Sequence, residues 1–316
     1  MAAISVSSLT KDYGDLRAND SLSFEVESGE VFGYLGPNGA GKTTTIRTLL
    51  GLIRPTDGTA EVLGADVRDE AALVEAKRRI GYLPANPAFD EGVTGRELLD
   101  LHGAVKGADR LEPLLDRFAP PLTRPIRQLS TGEVQKLGLV QAFMHDPDLV
   151  IMDEPTSGLD PLMQRSFNEF IAAEQERGTT VFMSSHVLGE VRRVCDRVAV
   201  LRAGRLVTIE AVENLLRRSG KTVRLRAAEP IDPAALEFDG VHDAEVHAVD
   251  HDGEADEGGF VFGGEARIVS EATLTYTGDI NRLLDVVAAY DLVDLEVEEA
   301  PLEDVFMRFY GGRHDA

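Results

Sequence analysis

The run GPNGAGKT at residues 36–43 constrains this chain more than any other feature. It fits the pattern G-x-x-x-x-G-K-[ST], follows an apolar segment that predicts a strand, and opens a segment that predicts a helix. Glycines let the backbone wrap closely around an anion, and the start of the following helix adds partial positive charge. The sequence therefore predicts a strand–loop–helix unit that binds the phosphates of a nucleoside triphosphate.

Two side chains at the end of this phosphate loop (residues 36–43) complete the predicted chemistry. The Lys42 ammonium is expected to reach the β- and γ-phosphates, and the Thr43 hydroxyl is expected to bind Mg²⁺. The other residues predicted to contact the nucleotide are Gly36, Pro37, Asn38, Gly39, Ala40, Gly41 and Thr44.

A second group of polar residues follows two later apolar segments. Residues 149–154, LVIMDE, predict a buried strand that ends in two acids. Asp153 would lie beside the Mg²⁺, and Glu154 would accept a proton from water attacking the γ-phosphate. His186 follows another predicted strand, where its spacing leaves a structural role and a γ-phosphate hydrogen bond both open. No N-K-x-D segment occurs, which argues against a GTPase.

Strands and helices alternate through the first two thirds of the chain, which predicts an α/β fold with a mostly parallel sheet. The last third predicts a small α+β domain. In the first part, the predicted strands are 21–26, 30–34, 80–83, 149–152, 179–184 and 197–201, and the predicted helices are 42–51, 133–145, 162–177, 188–195 and 210–218. In the last part, the predicted strands are 223–226, 245–249, 259–262 and 273–276, and the predicted helices are 279–290 and 301–310.

Acidic residues concentrate in that last part. The net charge is -23, and from Ala228 onward 23 Asp and Glu residues stand against four Arg. This break predicts one domain at residues 1–218 and an acidic accessory domain at residues 222–316. The acid excess argues against nucleic-acid binding, which needs a basic face. The bias of 26 Arg against six Lys fits either a halophile or a GC-rich genome.

Cysteine content and hydropathy bear on the compartment. A lone cysteine, Cys195, excludes an internal disulfide framework and fits a reducing compartment. No apolar run approaches the roughly 18–20 residues that cross a bilayer. The sequence therefore predicts a cytoplasmic protein that reaches a membrane only through a partner.

Four motifs in order resemble the ATP-binding-cassette (ABC) ATPases. They are GPNGAGKTT, LSTGE at residues 129–133, DEPTSGLD at residues 153–160 and SSH at residues 184–186. Their spacing agrees with that family from residue 4 to about residue 215. The resemblance implies a P-loop NTPase fold, namely an ABC-type nucleotide-binding domain with a helical subdomain at about residues 86–145.

The resemblance also implies roles for single residues. Tyr13 matches the aromatic residue that stacks on adenine, Glu154 the catalytic base, and His186 the γ-phosphate sensor. Ser130 and Gly132 match positions that meet the γ-phosphate of ATP held by a second copy of the subunit. Asp160 matches the residue that links the two sites across that interface. We call residues 129–133 the signature segment.

The resemblance further implies partners. Two copies would enclose two ATP molecules head to tail and would drive a separate transmembrane permease, with residues 85–101 forming part of the contact surface. The segment at residues 162–170, the segment that begins at residue 184, and the tail at residues 298–312 resemble ATPase subunits of exporters. The tail also fits a simple amphipathic helix that packs on its own domain. The implied location is the cytoplasmic face of the membrane, with no nucleic acid bound.

Several positions depart from the family pattern. Ala85, followed by Asn86, stands where the family usually has a glutamine that touches Mg²⁺, and alanine cannot bind a metal. Thr131 and Glu133 replace the usual glycine and glutamine of the signature segment, whereas Ser130 and Gly132 are retained. We expect hydrolysis to survive these changes.

Two other functions compete with a transport ATPase. One is an ABC ATPase that acts on nucleic acid or ribosomes, although such proteins usually carry two cassettes or long coiled coils. The other is a regulatory protein that binds ATP without hydrolysing it, a reading supported only by Ala85. For the acidic domain we expect a role in dimer contact or regulation.

Overall fold

The computed structural model describes residues 2–248 and 270–299. The chain divides into two compact units, Met1–Val212 and Glu213–Ala316. The predicted strand 259–262 and helix 301–310 lie outside the described residues. Within the described residues, no helix combines the length and the apolar character needed to cross a membrane.

The first unit contains ten strands and seven α-helices among its described residues. The strands are β1 (Ala2–Tyr13), β2 (Leu16–Glu27), β3 (Val31–Leu35), β4 (Asp57–Val62), β5 (Ala65–Asp66), β6 (Ile80–Leu83), β7 (Leu149–Asp153), β8 (Thr180–Ser185), β9 (Arg197–Arg202) and β10 (Arg205–Ala211). The helices are α1 (Lys42–Leu49), α2 (Glu70–Lys77), α3 (Gly95–Lys106), α4 (Leu111–Phe118), α5 (Thr131–Phe143), α6 (Pro161–Glu176) and α7 (Leu188–Val194), and a short 3-10 helix spans Ile126–Gln128.

The central sheet of this unit has the order β10-β9-β3-β8-β7-β6. All neighbouring pairs from β9 to β6 are parallel, and only β10 is antiparallel. Every residue of β3, β7 and β8 is buried, which explains why their apolar residues form continuous runs rather than alternating with exposed polar ones. The structure thus confirms the predicted α/β fold with a mostly parallel sheet.

A second sheet, ordered β2-β1-β4-β5, is antiparallel and packs on the same core. Its contacts include Phe24, whose ring lies 5.9 Å from that of Phe32 and 6.0 Å from that of Phe182 on the central sheet. Burying such rings together is strongly favourable, because each removes a large apolar surface from water. The sequence analysis found part of β2 but not β1.

The region predicted as a helical subdomain contains α3, α4 and α5. Arg110, which precedes α4, pairs with Glu174 on α6, and the Glu174 side chain is only 2% exposed. This pairing raises the pKa of Arg110 above its ordinary value. Removing either partner would leave a poorly solvated charge, so this pair fixes α4 to α6.

The predicted helix 210–218 starts too early. Glu210 and Ala211 pair with Val198 and Arg197 as the end of strand β10, and helix α8 begins only at Val212 (Val212–Ser219). The hairpin from β9 to β10 turns through two residues with positive φ, Ala203 and Gly204, which suits its tight geometry. The local sequence pattern favours a helix at these two residues, but their pairing with β9 makes them part of a strand.

The second unit is built on an antiparallel sheet ordered β12-β13-β11-β14. Its inward residues, among them Val223, Leu225 and Tyr276, form a core with the helix α9. The sequence analysis did not predict the last strand. The elements are β11 (Lys221–Ala227), a 3-10 helix (Pro233–Leu236), β12 (Val241–Ala248), β13 (Ser270–Tyr276), α9 (Ile280–Val287) and β14 (Leu292–Glu299).

Candidate nucleotide-binding site

The phosphate loop joins β3 to α1 at the carboxyl end of the central sheet. Its last glycine, Gly41, has φ +106°, and a Cβ there would lie 2.3 Å from the carbonyl oxygen of Ala18. Both facts exclude a side chain at residue 41 without strain. Pro37, Asn38 and Gly39 are exposed, so the outer face of the loop is open to a ligand.

Buried polar groups hold the loop from below. Asn19 is fully buried, and its Nδ2 donates to the Gly41 carbonyl at 3.2 Å and to Thr45 Oγ1 at 3.0 Å. The N–H of Gly204, in the β9–β10 turn, donates to the Ala40 carbonyl at 3.0 Å. These contacts come from distant parts of the chain, which is why the sequence analysis did not identify Asn19.

Lys42 points its ammonium back into the loop. Its Nζ donates to the carbonyl oxygens of Gly36 at 2.7 Å and Pro37 at 3.3 Å, and it lies 3.6 Å from Glu154 Oε1. The side chain is 6% exposed. A largely buried ammonium held this way can exchange its carbonyl partners for phosphate oxygens at little cost in ordering.

Thr43 and Asp153 meet across the site. Thr43 Oγ1 donates to Asp153 Oδ2 at 2.8 Å, and the Ser184 hydroxyl bonds to the other carboxylate oxygen. Asp153 is buried at the end of β7. A hydroxyl and a carboxylate oxygen are hard ligands of the kind that Mg²⁺ takes alongside phosphate and water, so these residues fit Mg²⁺.

Glu154 and His186 complete this group. His186 Nδ1 lies 3.1 Å from Glu154 Oε1, and the Glu154 N–H donates to the Ser184 carbonyl at 3.2 Å. Glu154 has φ +49°, an uncommon conformation for a non-glycine residue that often occurs at functional sites. The structure therefore brings Lys42, Thr43, Asp153, Glu154 and His186 together at one edge of the sheet.

The signature segment runs into the first turn of helix α5. Ser130 caps the helix: its Oγ accepts from the Glu133 N–H at 3.3 Å, and the Glu133 carboxylate accepts from the Ser130 N–H at 2.8 Å. Arg124 also contacts that carboxylate. The Ser130 N–H, with help from Arg124, lowers the pKa of Glu133. Ser130 itself is exposed, so this half of the predicted machinery faces solvent.

Gly132 and Asp160 lie near loop 154–159, Gly132 at the start of α5 and Asp160 at the start of α6. A Cβ at Gly132 would stand 2.8 Å from the carbonyl oxygen of Gly158, so α5 packs closely on the loop at residues 154–159. Asp160 is exposed and caps α6 by accepting from the Met163 N–H at 2.9 Å. This hydrogen bond is local to the start of α6.

Tyr13 and Ala85, the residue that replaces the family's usual glutamine, lie outside the group formed around Lys42 and Glu154. Tyr13 ends β1 and is 47% exposed, with the Lys11 ammonium 5.0 Å from the centre of its ring. Ala85 is half-buried just after β6, and Asn86 is exposed. Tyr82, one residue before the end of β6, has its pKa raised by burial and then by the charge of Asp153. Sequence reasoning did not identify Tyr82.

Comparisons with known proteins agree with this geometry. The family pattern described as ABC transporter matches residues 19–157. The bacitracin transport ATP-binding protein BcrA of Bacillus licheniformis is 33% identical over 318 residues, covering 98% of this chain and 97% of the relative. The daunorubicin/doxorubicin resistance ATP-binding protein DrrA of Streptomyces peucetius is 38% identical over 233 residues, covering 71% and 70%.

Solved structures show the same fold. An ATP-binding subunit of an ABC transporter superposes with a TM-score of 0.63 and 31% identity, covering 68% of this chain and 92% of that one. A dimeric ATP-binding cassette in a post-hydrolysis state with ADP and phosphate gives a TM-score of 0.61 at 21% identity, covering 66% and 98%. The chain belongs to the ABC transporter family as one of its ATP-binding subunits, and it is an ATPase.

Proposed function

We propose that this subunit powers an exporter, working as a pair of copies attached to a separate transmembrane permease. The observation that carries the proposal is the group of Lys42, Thr43, Asp153, Glu154 and His186 at one sheet edge. The export direction is supported by relatives named for export, among them the Nod factor export ATP-binding protein I of Sinorhizobium fredii, 40% identical over 213 residues (65% of this chain and 62% of that protein).

ATP would bind with its phosphates over the phosphate loop. Lys42 would exchange the Gly36 and Pro37 carbonyls for β- and γ-phosphate oxygens, while loop N–H groups surround the phosphates. Thr43 and Asp153 would hold Mg²⁺, which supplies charge neutralisation and orientation of the phosphates when bound. The exposed ring of Tyr13 would stack on adenine.

Glu154 would act as the general base. Its carboxylate would take a proton from water in line with the γ-phosphate, and His186, 3.1 Å away, would hold the phosphate oxygen and the water in place. The strained backbone at Glu154 and its N–H bond to Ser184 fix the carboxylate where this transfer needs it.

The second copy would supply the signature segment. Ser130 and Gly132 stand at an exposed helix start, where backbone N–H groups and the helix dipole favour a phosphate. ATP would then close two copies head to tail, and hydrolysis would reopen them. Asp160, at the start of α6 after loop 154–159, would link the two sites.

Replacing the proposed base tests the hydrolysis step. A Glu154→Gln variant should still bind MgATP, because the phosphate loop is untouched, but should lose turnover by about 1,000-fold. Phosphate release and nucleotide binding would be measured on the same preparation. Equal turnover in the wild type and the variant would contradict the assignment of Glu154.

The permease is testable by co-expression. A multi-span protein encoded beside this chain should co-purify with it in detergent and change its ATPase rate. Replacing exposed Leu101 on α3 with Asp should weaken that complex if residues 85–101 form the contact. A neighbouring nuclease or ribosomal gene, with no membrane partner, would instead favour action on nucleic acid or ribosomes.

We further propose that residues 1–218 form the ATPase domain and residues 222–316 an acidic accessory domain. Its sheet carries a charged outer face, on which Arg224 lies 3.7 Å from Glu296 and Arg226 lies 3.6 Å from Glu271. Such a face suits a regulatory or dimer contact. Removal of residues 222–316 should change dimerisation, ATPase or transport, and unchanged values for all three would refute this role.

A further inference from the structure

We propose that Glu190, on helix α7, is a positioning residue for ATP hydrolysis. Its carboxylate joins the loop that follows Glu154 to the strand end that precedes His186. The inference rests on the proposed function, since it concerns the same reaction. None of the sequence motifs pointed to Glu190, because both of its partners are hydroxyl groups brought to it by the fold.

The first contact fixes the end of strand β8. The Ser185 hydroxyl donates to Glu190 Oε2 at 2.7 Å and accepts from the Val187 N–H at 2.9 Å. Ser185 Oγ is also 3.1 Å from the Val187 carbonyl, but a hydroxyl has one proton and the shorter contact takes it. Ser185 is 1% exposed. Glu190 thus helps fix the backbone from which His186 projects.

The second contact fixes loop 154–159. The Thr156 hydroxyl donates to Glu190 Oε1, and Thr156 is 3% exposed. The Ser157 N–H closes a turn on the Glu154 carbonyl at 3.1 Å, so Thr156 and Glu154 belong to one tight turn. Glu190 therefore acts on Glu154 and His186 together, through one carboxylate with two hydrogen bonds.

Helix α5 holds the same loop on its other side. Gln135 on α5, 1% exposed, donates from Nε2 to the Pro155 carbonyl at 2.9 Å, next to the close approach of Gly132 and Gly158. Loss of the Glu190 contacts would leave the loop anchored to α5 but free to shift relative to His186. The 3.1 Å spacing of His186 and Glu154 is then the distance at risk.

Steady-state kinetics of full-length variants test the inference. Glu190→Ala should lower kcat about tenfold while the KM for ATP stays within about twofold, because the phosphate loop keeps its contacts. Glu190→Gln keeps one acceptor oxygen and should lose only about threefold. Glu176→Ala, at the exposed end of α6, is the matched control and should behave as the wild type.

A double-mutant cycle separates positioning from general damage. Thr156→Val and Ser185→Ala should each lower kcat, and each should have a much smaller effect when Glu190 is already Ala. Three results would each overturn the role. They are additive effects of these substitutions with Glu190→Ala, an unchanged kcat in Glu190→Ala, and a fall in kcat accompanied by a higher KM and a lower melting temperature. If Glu154→Gln hydrolyses ATP as fast as the wild type, the proposed function itself fails. If Glu154→Gln loses turnover as expected but Glu190→Ala keeps the wild-type kcat, only this inference fails.

Discussion

The phosphate loop and the signature segment, both in the first unit, each present the start of a helix to a phosphate, but they differ in burial. At the first, Lys42 and Asp153 are buried and converge with Thr43 and Glu154 on one place. At the second, Ser130 is exposed and its capping bonds with Glu133 are made within the chain. One end is assembled by the fold, and the other presents a helix start to solvent. This difference is what we expect if each proposed nucleotide site takes its second half from another copy of the chain.

The largest expected effect is on MgATP affinity, which should depend on the phosphate loop and not on the signature segment of the same chain. Lys42→Met should weaken MgATP binding to the single chain by about 100-fold, because a charged partner of the phosphates is lost. Ser130→Ala should leave that affinity within about twofold. The affinities would be measured by equilibrium binding, at protein concentrations too low for dimers to form.

Lys136→Met on α5 is the matched control for the lysine change and should bind as the wild type. If Ser130→Ala weakened binding to the single chain as much as Lys42→Met, the two ends would not be separate half-sites.

The next effect concerns His145, at the carboxyl end of helix α5. His145, just beyond α5, is 8% exposed, and neither ring nitrogen makes a well-formed hydrogen bond to the other described residues. Burial, followed by the charge of Lys106, lowers the pKa of His145 to about 4. The folded chain therefore disfavours the protonated ring. As pH falls from 7 to 5, the unfolded chain takes up the proton first, so stability falls by roughly 2 kcal/mol from this group.

Comparison with a His145→Leu variant separates the contribution of His145 to this pH dependence from that of the many carboxylates. The variant should be as stable as the wild type at pH 7 and more stable at pH 5, as measured by urea unfolding. His247→Leu on β12, which is exposed, is the control and should show no such difference. Parallel stability curves for His145→Leu and the wild type would refute the assignment.

The smallest effect tests the departure at Glu133. A Glu133→Gln change keeps an acceptor for the Ser130 N–H but removes a negative charge from the place where the second copy's phosphate is expected. The KM for ATP should fall by about threefold, with stability within about 0.5 kcal/mol of the wild type. Helix α3 offers a matched control, because Thr94 and Glu97 form the same capping arrangement. Glu97→Gln should leave KM unchanged.

Sequence patterns predicted the parts of this molecule that depend on local chemistry. The phosphate loop, the buried strand before Asp153 and the parallel sheet each follow from residues within a few positions of one another. Strand β14 and the continuation of β10 through Ala211 were missed or misplaced, because cross-strand pairing decided them. Asn19, Gln135 and Glu190 were missed for the same reason: each bonds to residues far away in sequence or to a backbone carbonyl.

The most direct test of shared half-sites is the mass in solution of the Glu154→Gln variant with and without MgATP. Light scattering should show a monomer without nucleotide and a dimer with it, since hydrolysis no longer reopens the pair. Adding Ser130→Phe should leave MgATP bound but the chain monomeric, with circular dichroism confirming the fold. A dimer that forms equally well with Phe at residue 130, or a monomer that binds MgATP without ever dimerising, would contradict the account.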